Sequence, residues 1–265
     1  MNEFRQNIRA EHPPGNKPIF EEWFGSYFTG FELVNDRNYL PVYFTSFYVN
    51  NNYGNDPIAK KKLQDYIDSL DKSKKYFTVL QYDDGILNDV SGLDIKVFGS
   101  GGGRIDFPIP LICHPHPFEF DFRKDAFASF AGSMTHPVRK KIVQNFGHRY
   151  QIPRKHLPIR DYCQLMARST FSLAPRGYGQ SSFRICEALQ FQSIPVYISD
   201  HWIVPGNIDF NEYGVLVHND EVRNIDKILK GFSAAQIESK REAGREIYKR
   251  IYTFEGCKQL ILDNV

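Results

Sequence analysis

Apolar positions along the chain change their period in a regular order. The runs YLPVYFTSFYV (39–49) and KYFTVLQY (75–82) are short and rich in aromatic and β-branched residues, the composition of strands. Between them, DPIAKKKLQDYIDSL (56–70) sets Ile58, Leu63, Ile67 and Leu70 at helical spacing behind an Asp-Pro start. DIKVFGS (94–100), the glycine run GSGGGR and IDFPIPLIC (105–113) predict further short strands, running into the proline-rich CHPHPFEFDF. The pattern then restarts. AFASFAG (126–132) reads as a buried strand and HPVRKKIVQNF (136–146) as a helix with Pro137 in its first turn. YCQLMARS (162–169) and SSFRICEALQF (181–191) are helical; TFSLAP (170–175), SIPVYIS (193–199) and GVLVH (214–218) are strands; and the tail from Ile225 to about Leu262 is mostly helix.

Strands alternating with helices in two successive sets predict an α/β chain with parallel sheets and a boundary near 122–126. The expected division is a polar, proline-bearing arm over 1–20, a first unit over 21–124 and a second over 125–265. Two Rossmann-like units facing a cleft are the economical arrangement, with ligands outside the carboxyl ends of the strands.

Composition narrows the function classes. A net charge of +2 gives no clustered basic excess of the kind that nucleic-acid binding shows, so any anion site must be local. The four cysteines (113, 163, 186, 257) form no CxxC pair, which predicts neither a zinc site nor a disulfide framework and suits a reducing compartment. No window has the length of a membrane span, and MNEFRQNIRAEHPPGNKP lacks the apolar core of a signal peptide, so the expectation is a soluble, cytoplasmic protein. Aromatics at 15% suit sugar-facing walls as well as cores.

The local anion site is APRGYGQSSFRICEAL (174–189), which reads as a strand end, a glycine-bearing turn and a helix starting near Gln180 to Ser182. It matches neither GxxxxGK[ST] nor GxGxxG. A helix N-terminus attracts phosphate, Gly177 and Gly179 permit close approach, Ser181 or Ser182 suits a cap or an oxygen contact, and Arg184 lies one turn in. Glu187, three residues on, falls on the Arg184 face; the pair reads either as a surface Arg–Glu bridge or as separate contacts to a diphosphate and a ribose.

The stretch RSTFSLAPRGYGQSSFRICEALQFQSIPVYISDHWIVP resembles the C-terminal motif of the exostosin-like glycosyltransferases, family 47. The matched positions include Ser169, Phe171, Leu173, Pro175, Gly177, Ser182, Phe183, Arg184, Glu187, Ala188, Leu189, Ile194, Pro195, Val196, Ser199, Asp200, Trp202 and Pro205. FASFAGSMTHPVRKKI and IDFPIPL are similar to upstream pieces of that family. The resemblance implies a GT-B fold, with the nucleotide sugar on the second unit and the acceptor on the first. It also implies inverting transfer from a UDP-sugar to a glycan or glycoprotein hydroxyl, with no metal or other cofactor. Carried over by position, Arg184 and Arg139 would contact the diphosphate, Ser182 a phosphate oxygen and Glu187 the ribose. Arg176 and Tyr178, in the variable part of the glycine loop, are expected to touch the donor. The compact form is similar to the enzymes of large algal viruses; UDP-xylose is a donor consistent with such an enzyme, and no residue specifies it.

Inverting transfer needs a general base from the first unit. Asp83 and then Asp84, at the carboxyl end of the strand in VLQYDDG, are the first candidates, against an ordinary Asp-Gly turn. His116 and Glu119 in HPHPFEFD are secondary candidates for base or acceptor contact; with Asp121 and His114 they have ligand-like chemistry but no zinc spacing, and no metal is expected. The glycine run 99–103 reads as an anion nest or a loop over the acceptor. The alternative function is a non-catalytic nucleotide-sugar or glycan-binding module.

Overall fold

A computed structural model of the chain describes Phe4 and residues 20–265; the rest of the expected arm lies outside the described residues. Helix α1 (Phe20–Phe28) is followed by β1 (Asn38–Tyr39), α2 (Phe44–Asn50), α3 (Pro57–Asp68), β2 (Lys75–Leu80), β3 (Asp94–Gly99) and β4 (Phe107–Pro108). The second set comprises β5 (Ala126–Ser129), α4 (Pro137–Phe146), α5 (Ile159–Arg168), β6 (Ser169–Pro175), α6 (Phe183–Gln190), β7 (Ile194–Ser199) and β8 (Val215–His218). Helices α7 (Ile225–Lys230), α8 (Ala234–Ile251) and α9 (Phe254–Leu262) complete it.

All strand pairs in the two sheets are parallel, in the orders β1-β2-β3-β4 and β5-β6-β7-β8. Each strand lies beside its predecessor, so neither sheet reverses direction internally. A crevice at a reversal of strand order is therefore not available inside one sheet. It forms instead between the sheets, where the loops after β2 and β6 meet.

Local signals explain most elements. The Asp56 side chain accepts from the N–H groups of Ile58 (2.9 Å) and Ala59 (3.0 Å) ahead of Pro57, starting α3, which buries Leu63 and Ile67. Ile58, on the expected apolar face, is 81% exposed. His136 and Pro137 start α4 in the same way. The run 39–49 departs from expectation: its strand ends at Tyr39, and Phe44–Asn50 is helical. Phe44 and Tyr48, four residues apart, share one buried helix face, so the apolar run serves a 3.6-residue period. The helix start is held from far away in sequence, by Glu21, whose two carboxylate oxygens accept the Thr45 N–H at 3.1 Å.

The largest apolar core joins the two sets. Phe77, Val79 and Phe98 of the first sheet share it with Ala174 and Tyr197 of the second and with Ile185 of α6, and the last two helices return to α1, with Phe254 against Trp23 (ring centroids 5.0 Å apart) and Phe24 (6.2 Å). Phe24 is fully buried at this junction. Phe24→Ala is expected to cost about 3–5 kcal/mol. Because the core is shared, calorimetry should show one unfolding transition at a lower Tm; two separated transitions would contradict a common core.

Candidate functional site: a cleft between two sheets

The loops after β2 and β6 enclose a cleft of about 920 Å³. One wall carries Thr45, Tyr53, Gln81, Asp83 and Asp84; the other carries Arg139, the loop Arg176–Ser182, Arg184 and Glu187.

The second wall is built around two guanidinium groups. Arg139 is 6% exposed. It donates only to backbone carbonyls: Nε to Arg176 O (2.8 Å), Nη1 to Ser133 O (2.9 Å) and Nη2 to Pro175 O (3.2 Å). Burial, then the nearby Arg184 charge, pushes its pKa down to about 10. Arg184 donates from Nε to Ala131 O (2.9 Å) and lies over the Phe130 ring, 5.3 Å from its centroid. A Cβ at Gly132 would fall 1.7 Å from Arg184 Nη2, so glycine makes room for the guanidinium. Among the described residues neither arginine has a carboxylate within salt-bridge distance. Arg176 differs: its Nη1 pairs with Asp200 at 3.0 Å and its Nη2 donates to Tyr178 O at 3.3 Å, so its charge is compensated within the wall.

Helix α6 points its N-terminus into this wall. Ser182 is the N-cap, in extended conformation; its Oγ is buried without a hydrogen-bond partner among the described residues, and so is Thr135 Oγ1 on the opposite loop. Buried hydroxyls without partners are uncommon in folded chains, and here they face the same cleft as the arginines.

Glu187 is not a surface residue; at 1% exposure the expected alternative of an exposed Arg184–Glu187 bridge falls away. One oxygen is 3.1 Å from His116 Nε2 and the other accepts from Tyr162 OH at 2.5 Å. The Gln190 amide holds the His116 backbone, accepting from its N–H (3.1 Å) and donating to its C=O (2.9 Å). His116 is therefore buried behind the arginine-bearing wall and does not line the cleft, which corrects the expectation that it contacts an acceptor. Glu119 is also corrected: it is exposed and does not line the cleft. The prolines extend this segment, so His114, His116, Glu119 and Asp121 are not gathered, and among the described residues no three such side chains are arranged to hold a metal ion.

Asp83 crosses to the second wall. Its Oδ1 accepts from Ser181 Oγ at 3.3 Å, and a Cβ at Gly179 would lie 1.6 Å from the Asp83 Cγ. Burial is the main cause that pushes the Asp83 pKa up to about 6. Asp84, its neighbour, is exposed on the same wall. The glycine run 99–103 serves this loop. Gly102 N donates to Asp83 O (2.7 Å), a Cβ at Gly101 would meet the Asp83 backbone at 2.5 Å, and one at Gly102 would meet Gln180 Oε1 at 2.4 Å. It is a spacer at the seam, neither an anion nest nor a cover. Glu21 braces the same loop from behind, accepting from Thr45 Oγ1 (2.5 Å) and Gln81 N (3.3 Å), with a pKa raised to about 7 by burial. Nothing local in FEEWF marks Glu21 and nothing in YCQLMARS marks Tyr162, because their partners lie in other elements; Asp200 is a matched motif position, but its pairing with Arg176 has no local signal.

Two parallel α/β units whose strand ends converge on one arginine-lined cleft define a GT-B fold. Residues 95–232, more than half of the chain, match the Exostosin GT47 domain, and the chain belongs to that family. It is 38% identical to an Exostosin-1 homolog of Caenorhabditis elegans, across 71% of this chain and 64% of that one. It is 36% identical to a probable glucuronosyltransferase of Oryza sativa subsp. japonica, across 35% of this chain and 23% of that one. It thus spans less than two thirds of the length of these relatives. A sucrose-phosphate synthase from Thermosynechococcus elongatus superposes with a TM-score of 0.47 at 13% identity, over 92% of this chain and 77% of that one. No helix among the described residues is long and apolar enough to cross a membrane.

The contact between Gly179 and Asp83 is open to test. Gly179→Ala must separate the two walls there, rehydrating the carboxylate. The Asp83 titration, followed by carboxyl NMR, should move down from about 6 toward the ordinary carboxylate range; an unmoved titration would contradict the tight seam.

Proposed function

We propose that the chain is an inverting, metal-independent glycosyltransferase that moves a sugar from a UDP-sugar to a glycan hydroxyl. The observation that carries this reading is the pair of guanidinium groups, Arg139 and Arg184, facing one cleft beside the N-terminus of α6 with no acidic partner among the described residues. Their mutual repulsion falls when a dianion sits between them. In the transfer, the acceptor oxygen bonds to the anomeric carbon as the bond from that carbon to the diphosphate breaks. The departing electron pair stays on the diphosphate oxygen, and the acceptor proton passes to Asp83. Arg139, Arg184 and the Ser182 hydroxyl stabilise the leaving charge, the task otherwise given to a metal ion. Glu187, held at the cleft wall by His116 and Tyr162, is the carboxylate assigned to accept from the ribose diol. Gly177 and Gly179 keep the loop close to the phosphates, while Tyr178, Arg176 and Ser181 complete its rim.

UDP release from a panel of UDP-sugars, with and without oligosaccharide acceptors and with EDTA present throughout, tests the reading. UDP-xylose and UDP-glucuronic acid both belong in the panel, the second because of the rice relative's name. Acceptor-dependent release is expected; binding without release under any combination would leave a nucleotide-sugar binding module instead.

Arg184→Ala should weaken UDP binding by about 1.5–3 kcal/mol, or about 10- to 150-fold, by calorimetry. Equal affinity in the variant would sink the assignment.

The base assignment has a pH consequence. The folded state raises the Asp83 pKa from 3.8 to about 6, so the ionised base accumulates, and kcat should rise, as pH passes through about 6. The sign for stability is opposite: the fold favours the protonated form, so this group's contribution is complete below about pH 4 and is lost as pH rises through about 6. Asp83→Asn should bind UDP normally and lose about 100- to 10,000-fold in kcat, with the limb near pH 6 gone. A wild-type profile retained in that variant would transfer the role elsewhere.

A further inference from the structure

Tyr53 has a backbone that its side chain does not favour. With φ 55° and ψ 39° it sits in the left-handed region, between Asn52 (φ 52°) and Gly54 (φ 76°). Asn and Gly are the usual residues for such angles; a bulky side chain there is an outlier held at a cost in strain. Packing does not offset that cost, because the residue is 62% exposed and its ring makes no ring contact among the described residues. The turn is nevertheless held firmly. Tyr82 OH donates to Tyr53 O at 3.2 Å, Tyr82 packs edge-on against buried Tyr48 at 5.1 Å, and a Cβ at Gly54 would fall 2.5 Å from Leu87 Cδ1. A rigid scaffold therefore presents one unsupported ring to the cleft. On the same wall lie Val49, Tyr82 and, beyond them, Asp83. From the opposite wall the glycine loop projects Tyr178, 87% exposed, into the same opening.

We infer that Tyr53 is the acceptor platform: its ring stacks on the apolar C–H face of an acceptor sugar and so presents that sugar's hydroxyl toward Asp83, with Tyr178 flanking it from the other lip. A saccharide fits this surface because a pyranose ring offers a flat apolar face and polar edges, matching an aromatic wall that ends at a carboxylate. The inference rests on the glycosyltransferase reading and adds a specificity-determining residue to it. The backbone strain at Tyr53 is maintained for its ring.

Tyr53→Gly separates the two roles of this residue, since glycine adopts the same φ without strain. The variant should match or exceed the wild-type Tm, bind UDP equally and hydrolyse the UDP-sugar in water at the wild-type rate. Its KM for cello-, xylo- or chito-oligosaccharides, whichever the wild type accepts, should rise about tenfold. Tyr53→Phe should restore the wild-type KM. An unchanged acceptor KM in Tyr53→Gly, with an active wild type, overturns this inference alone; so does a Tm below that of the wild type, which would make the ring structural. A wild type that releases no UDP with any of these acceptors removes the glycosyltransferase reading, and the platform with it.

Discussion

The arrangement of the cleft depends on how two like charges, Arg139 and Arg184, are kept together with no carboxylate partner among the described residues. Arg139 is nearly buried, and burying a charge is costly unless it is solvated by the protein. Here the solvation comes from carbonyl oxygens of Ser133, Pro175 and Arg176 for Arg139, and from Ala131 and the Phe130 ring for Arg184. Carbonyl dipoles lower the cost of burial without cancelling the charge, as a carboxylate would. The wall keeps its positive potential, and that potential is what an anionic leaving group needs.

The same hydrogen bonds shape the backbone. Because Arg139 accepts its solvation from both the β5–α4 loop and the end of β6, its position fixes the glycine loop relative to α4. Arg184 does the equivalent between α6 and the end of β5. Arg176 points away from this task, held by Asp200. Chemically similar residues within one motif thus divide into Arg176, paired with a carboxylate at the rim, and Arg184, which lines the cleft with no carboxylate partner among the described residues.

Most of the fold was legible because its elements are specified locally. Asp56-Pro57 and His136-Pro137 each start a helix locally, and the apolar runs of β2, β6 and β7 mark strands that are buried along nearly their whole length. The run 39–49 was misread because its apolar residues satisfy either period, and the choice is made by Glu21, twenty-four positions from Thr45. The cradle at 174–189 was legible as a motif, whereas the partners of its members were not. Nothing near Glu187 in sequence announces that His116 and Tyr162 will hold it, and HPHPFEFD looks like a ligand set until His116 is seen to turn inward to Glu187 while Glu119 is exposed. Tyr53 was invisible for a related reason, since backbone strain has no signal in an NNYGN turn.

Glycines at the seam connect the two walls into one device. Gly179 on the donor side and Gly101 and Gly102 on the other remove side chains from the line along which the Asp83 loop meets the cradle. The approach this permits dehydrates Asp83, and dehydration raises its pKa toward the range in which a carboxylate can accept a proton near neutrality. The arginine-lined wall and Asp83 are therefore not independent: a displacement of the glycine loop would also rehydrate the carboxylate across the cleft, so that under the proposed transfer charge stabilisation and proton transfer are tuned by one backbone contact.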